Sequence, residues 1–354
     1  MILAAFPGRV VARGERRPWR QGFGQAGRWV AKGLLLALAC APAAGHGQSY
    51  EVSGDLVYET FGTTRPRKPL ERRFSVTVDG ARWSIRTTLG GTNDSIESFI
   101  DAFDGTNLLG IVNYRGAANN RASVRVEPTD VPNPEMGTGS AALWLAFASA
   151  AHLRSQAAPR LAPIWLLDDP AQRAAGFTVA AKWTLSKAPP GLPAIVEYHD
   201  DGRVYFVQDG RSGQEPRPEP FDAGYVRATY RAFTFTNAAG LSVPRSFTYE
   251  ESRPDYARAR TTNDVMRSLR ISVSGAVLSA PPGQGIAPIL FTNKVFVTDH
   301  RFQATEGVSL QYVWTNAVLA GAHHPVVSSA LRRARAALPH PEQPNAGEAP
   351  TPNP

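Results

Sequence analysis

Along residues 74–90, FSVTVDGARWSIRTTLG, apolar and polar positions alternate on both sides of an Asp-Gly pair. Period two sends successive side chains to opposite faces of a strand, so the pattern predicts a half-buried hairpin. Asp79-Gly80 suits a two-residue type I′ turn, whose central positions need positive φ. With the turn there, Val78 falls opposite Ala81, Val76 opposite Trp83 and Phe74 opposite Ile85, all on one apolar face. Ser75, Thr77, Arg82, Ser84 and Arg86 share the other face, which is polar.

The same device recurs. SIESFIDAFDGTNLLGIVNY places Asp104-Gly105 between two further strands, although their faces are less cleanly sorted. After a stretch rich in Pro and Gly comes SAALWLAFASAAHLR, residues 140–154, dominated by good helix formers. Ser140 or Thr138 is placed to cap it. Leu143, Trp144, Leu145 and Phe147 point around most of its circumference, and a helix apolar all round is normally enclosed. Strands then resume in GFTVAAKWTL, AIVEYH, RVYFVQ, YVRATYRAFTFT, LSVPRSFTYEE, DVMRSLRISVSGAVL, KVFVTDHRF and VSLQYVWT, rich in β-branched and aromatic residues. Asp200-Asp201-Gly202, Asp209-Gly210 and Asn237–Gly240 supply turns between them. No strand–helix alternation occurs, which argues against a doubly wound parallel sheet. The fold class expected is mainly β: a curved antiparallel sheet or half-barrel of roughly a dozen strands with one buried central helix. It occupies residues 48–321, and the Pro-rich polar composition of 322–354 reads as a disordered tail that opens with a short basic helix, SSALRRARAALP.

Charge changes the picture only at the N-terminus. The net charge of +8 suggests nucleic-acid binding until it is located. Residues 1–47 hold seven basic side chains and one acid, Glu15, which leaves 31 basic and 29 acidic side chains for the rest. No basic surface patch is required, so nucleic acid is not expected as a partner. The basic stretch runs into GLLLALACAPAA, too short for the about 20 residues that span a bilayer. It reads as a signal peptide with small residues for cleavage, and predicts a periplasmic or outer-envelope address. The long charged region fits either a start nearer Val30 or an export signal using Arg16-Arg17. Cys40 is the single cysteine, so no intramolecular disulfide forms. It ends the apolar run where a lipidated cysteine would stand, but Ala37-Leu38-Ala39 puts Leu second, and cleavage downstream is the main reading.

Candidate chemistry is sparse. Of the seven histidines, His323-His324 has no carboxylate or cysteine at ligand spacing, so no metal site and no cofactor are expected. His199-Asp200-Asp201 reads as a turn, and Asp299-His300 as a solvent-facing strand end. Gly137–Ala141, GTGSA, lacks the last glycine of a nucleophile elbow. The remaining signal is aromatic: a curved sheet with an apolar concave face can hold an acyl chain. The candidate ligand-contacting residues are Leu143, Trp144 and Phe147 from the helix and Phe74, Val76, Trp83 and Ile85 from the sheet.

The order of elements carries a resemblance. A signal peptide, a meander opening F-x-V-x-V-x-G-x-x-W-x-I, a DGTN turn, a central apolar helix and more meander resemble the half-barrel envelope proteins of the lipoprotein-localisation, LolA/LolB-like, class. The chain is also similar to an uncharacterised family of exported bacterial proteins. The segments concerned are Ser49-Tyr50-Glu51-Val52-Ser53-Gly54, Phe103-Asp104-Gly105-Thr106-Asn107, Leu143-Trp144-Leu145-Ala146 and Leu166-Leu167-Asp168-Asp169-Pro170. The likeness covers roughly residues 49–316. It implies a sheet curled around a hydrophobic cavity, helices at its mouth, and acyl-chain binding without catalysis, although this chain is longer than the carriers and poorer in helix. A monomer that binds a lipid is thus expected. The alternatives are a structural protein with a filled core and an envelope partner, and a carbohydrate-active enzyme, which needs two carboxylates facing one cleft.

Overall fold

The computed structural model describes residues 49–62, 68–89, 96–114, 122–127, 139–155, 180–185, 192–208, 211–238, 241–279, 286–287, 289–291, 294–316 and 318–337. Five strands follow one another as a meander: β1 (Ser49–Thr60), β2 (Leu70–Asp79), β3 (Arg82–Leu89), β4 (Ile96–Phe103) and β5 (Leu108–Tyr114). β6 (Ala122–Glu127) completes this half. After the central helix come β7 (Ala180–Leu185), β8 (Pro193–Asp200), β9 (Arg203–Gln208), β10 (Arg211–Pro216), β11 (Tyr225–Ala238), β12 (Leu241–Pro254), β13 (Val265–Ser274) and β14 (Val277–Ser279). β15 (Val295–Asp299) and β16 (Leu310–Trp314) follow.

Fourteen strands form one curved, unclosed sheet in the order β16-β15-β6-β5-β4-β3-β2-β1-β13-β12-β11-β8-β7, with β14 beside β1. Every described pairing is antiparallel except that of β15 with β6, which is parallel. The chain between those two strands is long enough for the crossover a parallel pair needs. β9 and β10 pair only with each other, apart from the main sheet. Asp200-Asp201-Gly202 therefore turns the chain out of the sheet and does not close a β8–β9 hairpin, because β7 and β11 already flank β8. The Asp200 carboxylate accepts from Arg217 Nε (2.9 Å) and Nη2 (2.8 Å) and from the Gly202 amide (2.9 Å).

The first hairpin has the expected faces in a shifted register. Val78 pairs with Trp83, Val76 with Ile85 and Phe74 with Thr87, two residues from the sequence expectation. A shift of two keeps every side chain on its face. The cause is at the tip: Asp79 stays paired with Arg82 and its carboxylate binds the Arg82 guanidinium, so the turn falls on Gly80-Ala81, with Gly80 at φ 65°. The second turn is as expected. Asp104 Oδ1 accepts from the amides of Thr106 and Asn107, both at 2.8 Å.

Two buried clusters cover opposite faces of the sheet. One unites Tyr50, Val52 and Leu56 of β1, Phe74, Val76 and Val78 of β2, Trp83 and Ile85 of β3, residues of β8 and β11–β13, and the central helix. The other unites Ile100 and Ala102 of β4, Ile111 of β5, Val124 and Val126 of β6, β15, β16, and Val327 and Ala330. Asp101 pairs with Ile85 and Phe103 with Trp83, so Ile100 and Ala102 point away from the first cluster. β4 and β5 thus carry cover on both faces, which is why their sequences lack clean alternation.

Val327 and Ala330 belong to a helix, Pro325–Ala336, at the head of the segment expected to be a disordered tail. Those two side chains are buried against the sheet and join its second cluster. His324 caps this helix by accepting from the Val326 amide at 3.2 Å, and its ring meets Trp314 edge-on. Residues 1–48 and 338–354, with Cys40 and the leader, lie outside the described residues.

Candidate functional site

The central helix runs as an α-turn over Ser140–Leu143, a π-turn over Trp144–Ala148 and an α-turn over Ala150–Ser155. Ser140 does not cap the helix, and Thr138 lies outside the described residues. Gly139 takes the cap position at φ 80° with no side-chain cap, and the Ser140 side chain is buried. In the π-turn the Ser149 amide donates to the Trp144 carbonyl at 2.9 Å, and Ser149 Oγ donates to the Leu145 carbonyl at 3.0 Å. The Tyr50 hydroxyl on β1 donates to the Phe147 carbonyl of this turn. Residues 141–148 are all buried, as an all-round apolar surface requires.

The seven residues singled out in sequence come together in this one cluster. Phe74, Val76, Trp83, Ile85, Leu143, Trp144 and Phe147 are each between 0% and 4% exposed. Phe74 stacks on Phe147 with ring centroids 5.9 Å apart. Gly54 makes that contact possible: it faces Phe74 across β1–β2, and a Cβ there would stand 3.0 Å from the ring. Phe147 also meets Phe247 edge-on at 5.8 Å, and Trp83 stacks on Phe103 at 6.4 Å. Trp144 meets His152 at 5.2 Å.

The sequence reading missed the far wall. Tyr198 on β8, Tyr230 on β11, and Phe247 and Tyr249 on β12 are buried in the same cluster. Their strands carried alternating apolar positions, but nothing in the sequence said that β11–β13 would join β1 and so face the same helix. Burial pushes the Tyr198 and Tyr230 hydroxyls well above the usual phenol range.

The face also holds polar groups. Asp101 on β4 is 3% exposed, and its Oδ2 has no hydrogen-bond partner among the described residues. Burial raises its pKa to about 7, opposed by a hydrogen bond with Ser140, while Glu127 raises it further and Arg125 lowers it. Arg72 on β2 points the same way as Phe74 and is 7% exposed. Its guanidinium lies 4.9 Å from the Tyr58 ring centroid and 5.9 Å from that of Phe99. Beside it the Thr87 hydroxyl is buried with no partner among the described residues.

Glu127 on β6 shares the Asp101 face and is paired with Arg125, and the other buried carboxylates among the described residues lie apart from them. Of the buried ones, Asp200 is held by Arg217, and Asp299 belongs to the opposite face, held by Arg301 at 2.5 Å and Tyr312 at 3.3 Å. Asp299 was read in sequence as facing solvent; it is 0% exposed because β15 lies between β6 and β16 beneath the last helix. Among the described residues no group of three or more His, Cys, Asp or Glu is placed to hold a metal ion. No helix among them is long and apolar enough to cross a membrane.

No family model matches the chain, and none of the curated proteins matches it. Among solved structures it is similar to a DUF1329 family protein from Desulfovibrio piger, with 11% identity and a TM-score of 0.30, over 68% of this chain and 89% of that one. It is likewise similar to a LolA superfamily protein from Nitrosomonas europaea, with 11% identity and a TM-score of 0.30, over 68% of this chain and 88% of that one.

Proposed function

We propose that this is an exported envelope protein that binds a lipid or other apolar ligand on the helix-covered face of its sheet and catalyses nothing. One observation carries the proposal: the apolar stretch 141–148 of the central helix lies against the sheet through its side chains and the Tyr50 hydroxyl. Such a helix covers the face as a removable apolar body, and an acyl chain offers the same aromatics an equivalent surface. Export is supported by the charged and apolar pattern of the leader. The test is native and denaturing mass spectrometry of protein purified from its envelope, followed by titration with a fluorescent fatty acid. A co-purifying lipid and saturable binding are expected; an empty protein that binds no probe overturns the proposal. The same spectrum reports whether Cys40 is removed or lipidated.

A second reading follows from the near-zero exposure of the seven residues: the core is filled and the protein serves as a scaffold for an envelope partner. Deleting residues 338–354 then abolishes co-purification of that partner and leaves the unfolding transition unchanged. The helix Pro325–Ala336 must be kept in that experiment, since Val327 and Ala330 are part of the core.

A further inference from the structure

The polar end of the apolar face specifies more than its apolar middle. Arg72, Phe74, Val76 and Val78 alternate along β2 onto the same side as the central helix. Arg72 is therefore a charge at the border of a hydrocarbon surface, two residues from Leu70, which is 46% exposed. Burying a guanidinium there is costly unless other groups compensate. Two do so through their ring faces, Tyr58 on one strand and Phe99 on another. A guanidinium carries five N–H donors, so its contacts within the chain and contacts to a ligand are compatible.

Thr87 supplies the second group. It pairs with Phe74 on β2 and with Phe99 on β4, and so stands diagonally from Arg72 beside the ring that the guanidinium overlies. Its hydroxyl is 1% exposed and unsatisfied among the described residues, a condition that native cores rarely tolerate without a reason. Asp101, two residues along β4 from Phe99 on the same face, is engaged with Ser140.

We propose that Arg72 and Thr87 hold the anionic head, a carboxylate or a phosphate, of an amphiphile whose tail starts at Phe74 and runs toward Phe147. This deepens the lipid-binding reading above and rests on it. The planar fork of Arg72 matches either oxyanion, and the Thr87 hydroxyl donates to it. The Phe74–Phe147 stack begins where the head ends.

The test uses the full chain and four probes: dodecanoate, dodecyl phosphate, dodecanol and inorganic phosphate, titrated by calorimetry. Arg72→Met is expected to weaken both anionic amphiphiles by about tenfold or more, the loss of one charge-assisted hydrogen bond, and to leave dodecanol unchanged. The head that loses more identifies the natural source as carboxylate or phosphate. Thr87→Val keeps the shape and removes only the unsatisfied hydroxyl. It is expected to fold at least as stably as the parent and to bind the anionic probes more weakly, which a purely structural role does not give. Dodecanoate and dodecyl phosphate bound equally by the parent and both variants overturn the head site and leave the apolar ligand intact. Inorganic phosphate bound as tightly as dodecyl phosphate also overturns it, since the tail then contributes nothing. If no amphiphile binds the unmodified protein, the lipid-binding reading itself falls.

Discussion

The Tyr50 hydroxyl on β1 donates to the Phe147 carbonyl within the π-turn of the central helix, joining residues 97 apart in sequence. It is a bond between the first strand and the middle of the helix that covers it. Tyr50 is 1% exposed, so the bond forms without competition from water. Tyr50→Phe keeps the ring and strands a buried carbonyl. We expect a loss of about 1–2 kcal/mol, seen as a lower urea midpoint with unchanged slope. Amide exchange within residues 144–149 should accelerate more than exchange in β12.

Asp101 makes stability depend on pH. Its carboxyl titrates near 7 in the folded protein against a usual value of 3.8, chiefly through burial. The folded state therefore holds a proton that the unfolded state has lost. This contribution is fully present below about pH 4 and is lost as pH rises through about 7, with a slope of at most about 1.4 kcal/mol per pH unit. Asp101→Asn should flatten the profile of unfolding free energy between those limits and make the protein more stable than the parent at pH 8. An unchanged slope in the variant would assign the pH dependence to other groups.

On the opposite face, Asp299 is 0% exposed and depends on Arg301, whose Nε and Nη2 both donate to it. Removing the cation leaves a buried carboxylate beside β16. Arg301→Met is expected to lose about 3–5 kcal/mol. Adding Asp299→Asn to the same chain should recover part of that loss, and the non-additivity is read from a double-mutant cycle of denaturation midpoints.

Two glycines with positive φ should respond differently to alanine. At Gly202, φ is 76° and a Cβ would stand 2.1 Å from the Asp222 carbonyl oxygen, where the chain crosses the Phe221–Ala223 turn. At Gly275, φ is 81° but nothing lies within 4 Å. Gly275→Ala meets only the left-handed penalty, about 1–2 kcal/mol. Gly202→Ala adds a backbone collision, so its melting temperature should fall much further, or the protein should fail to accumulate.

Much of the candidate site was legible one segment at a time. The alternation of Phe74, Val76, Trp83 and Ile85 named the buried face of the first hairpin, and Leu143, Trp144 and Phe147 announced an enclosed helix. Local rules suffice there, because strand period and helix period are properties of neighbouring residues. The register slipped by two for an equally local reason, the Asp79–Arg82 pair, but the slip could not change the face.

What the sequence determined by itself is the kind of surface each segment presents: one-sided strands, an all-round apolar helix, and turns at Asp-Gly pairs. Tertiary structure alone decided which surfaces meet. It joined β1 to β13 and so brought Tyr230 and Phe247 to the helix that Phe74 already touched. It covered β4 and β5 twice, turned a basic tail segment into a core helix, and set Arg72 over the Phe99 ring beside Thr87. The reason is that pairings between distant strands depend on the whole chain's burial, with loop closure adding little bias of its own, so no short window of sequence encodes them.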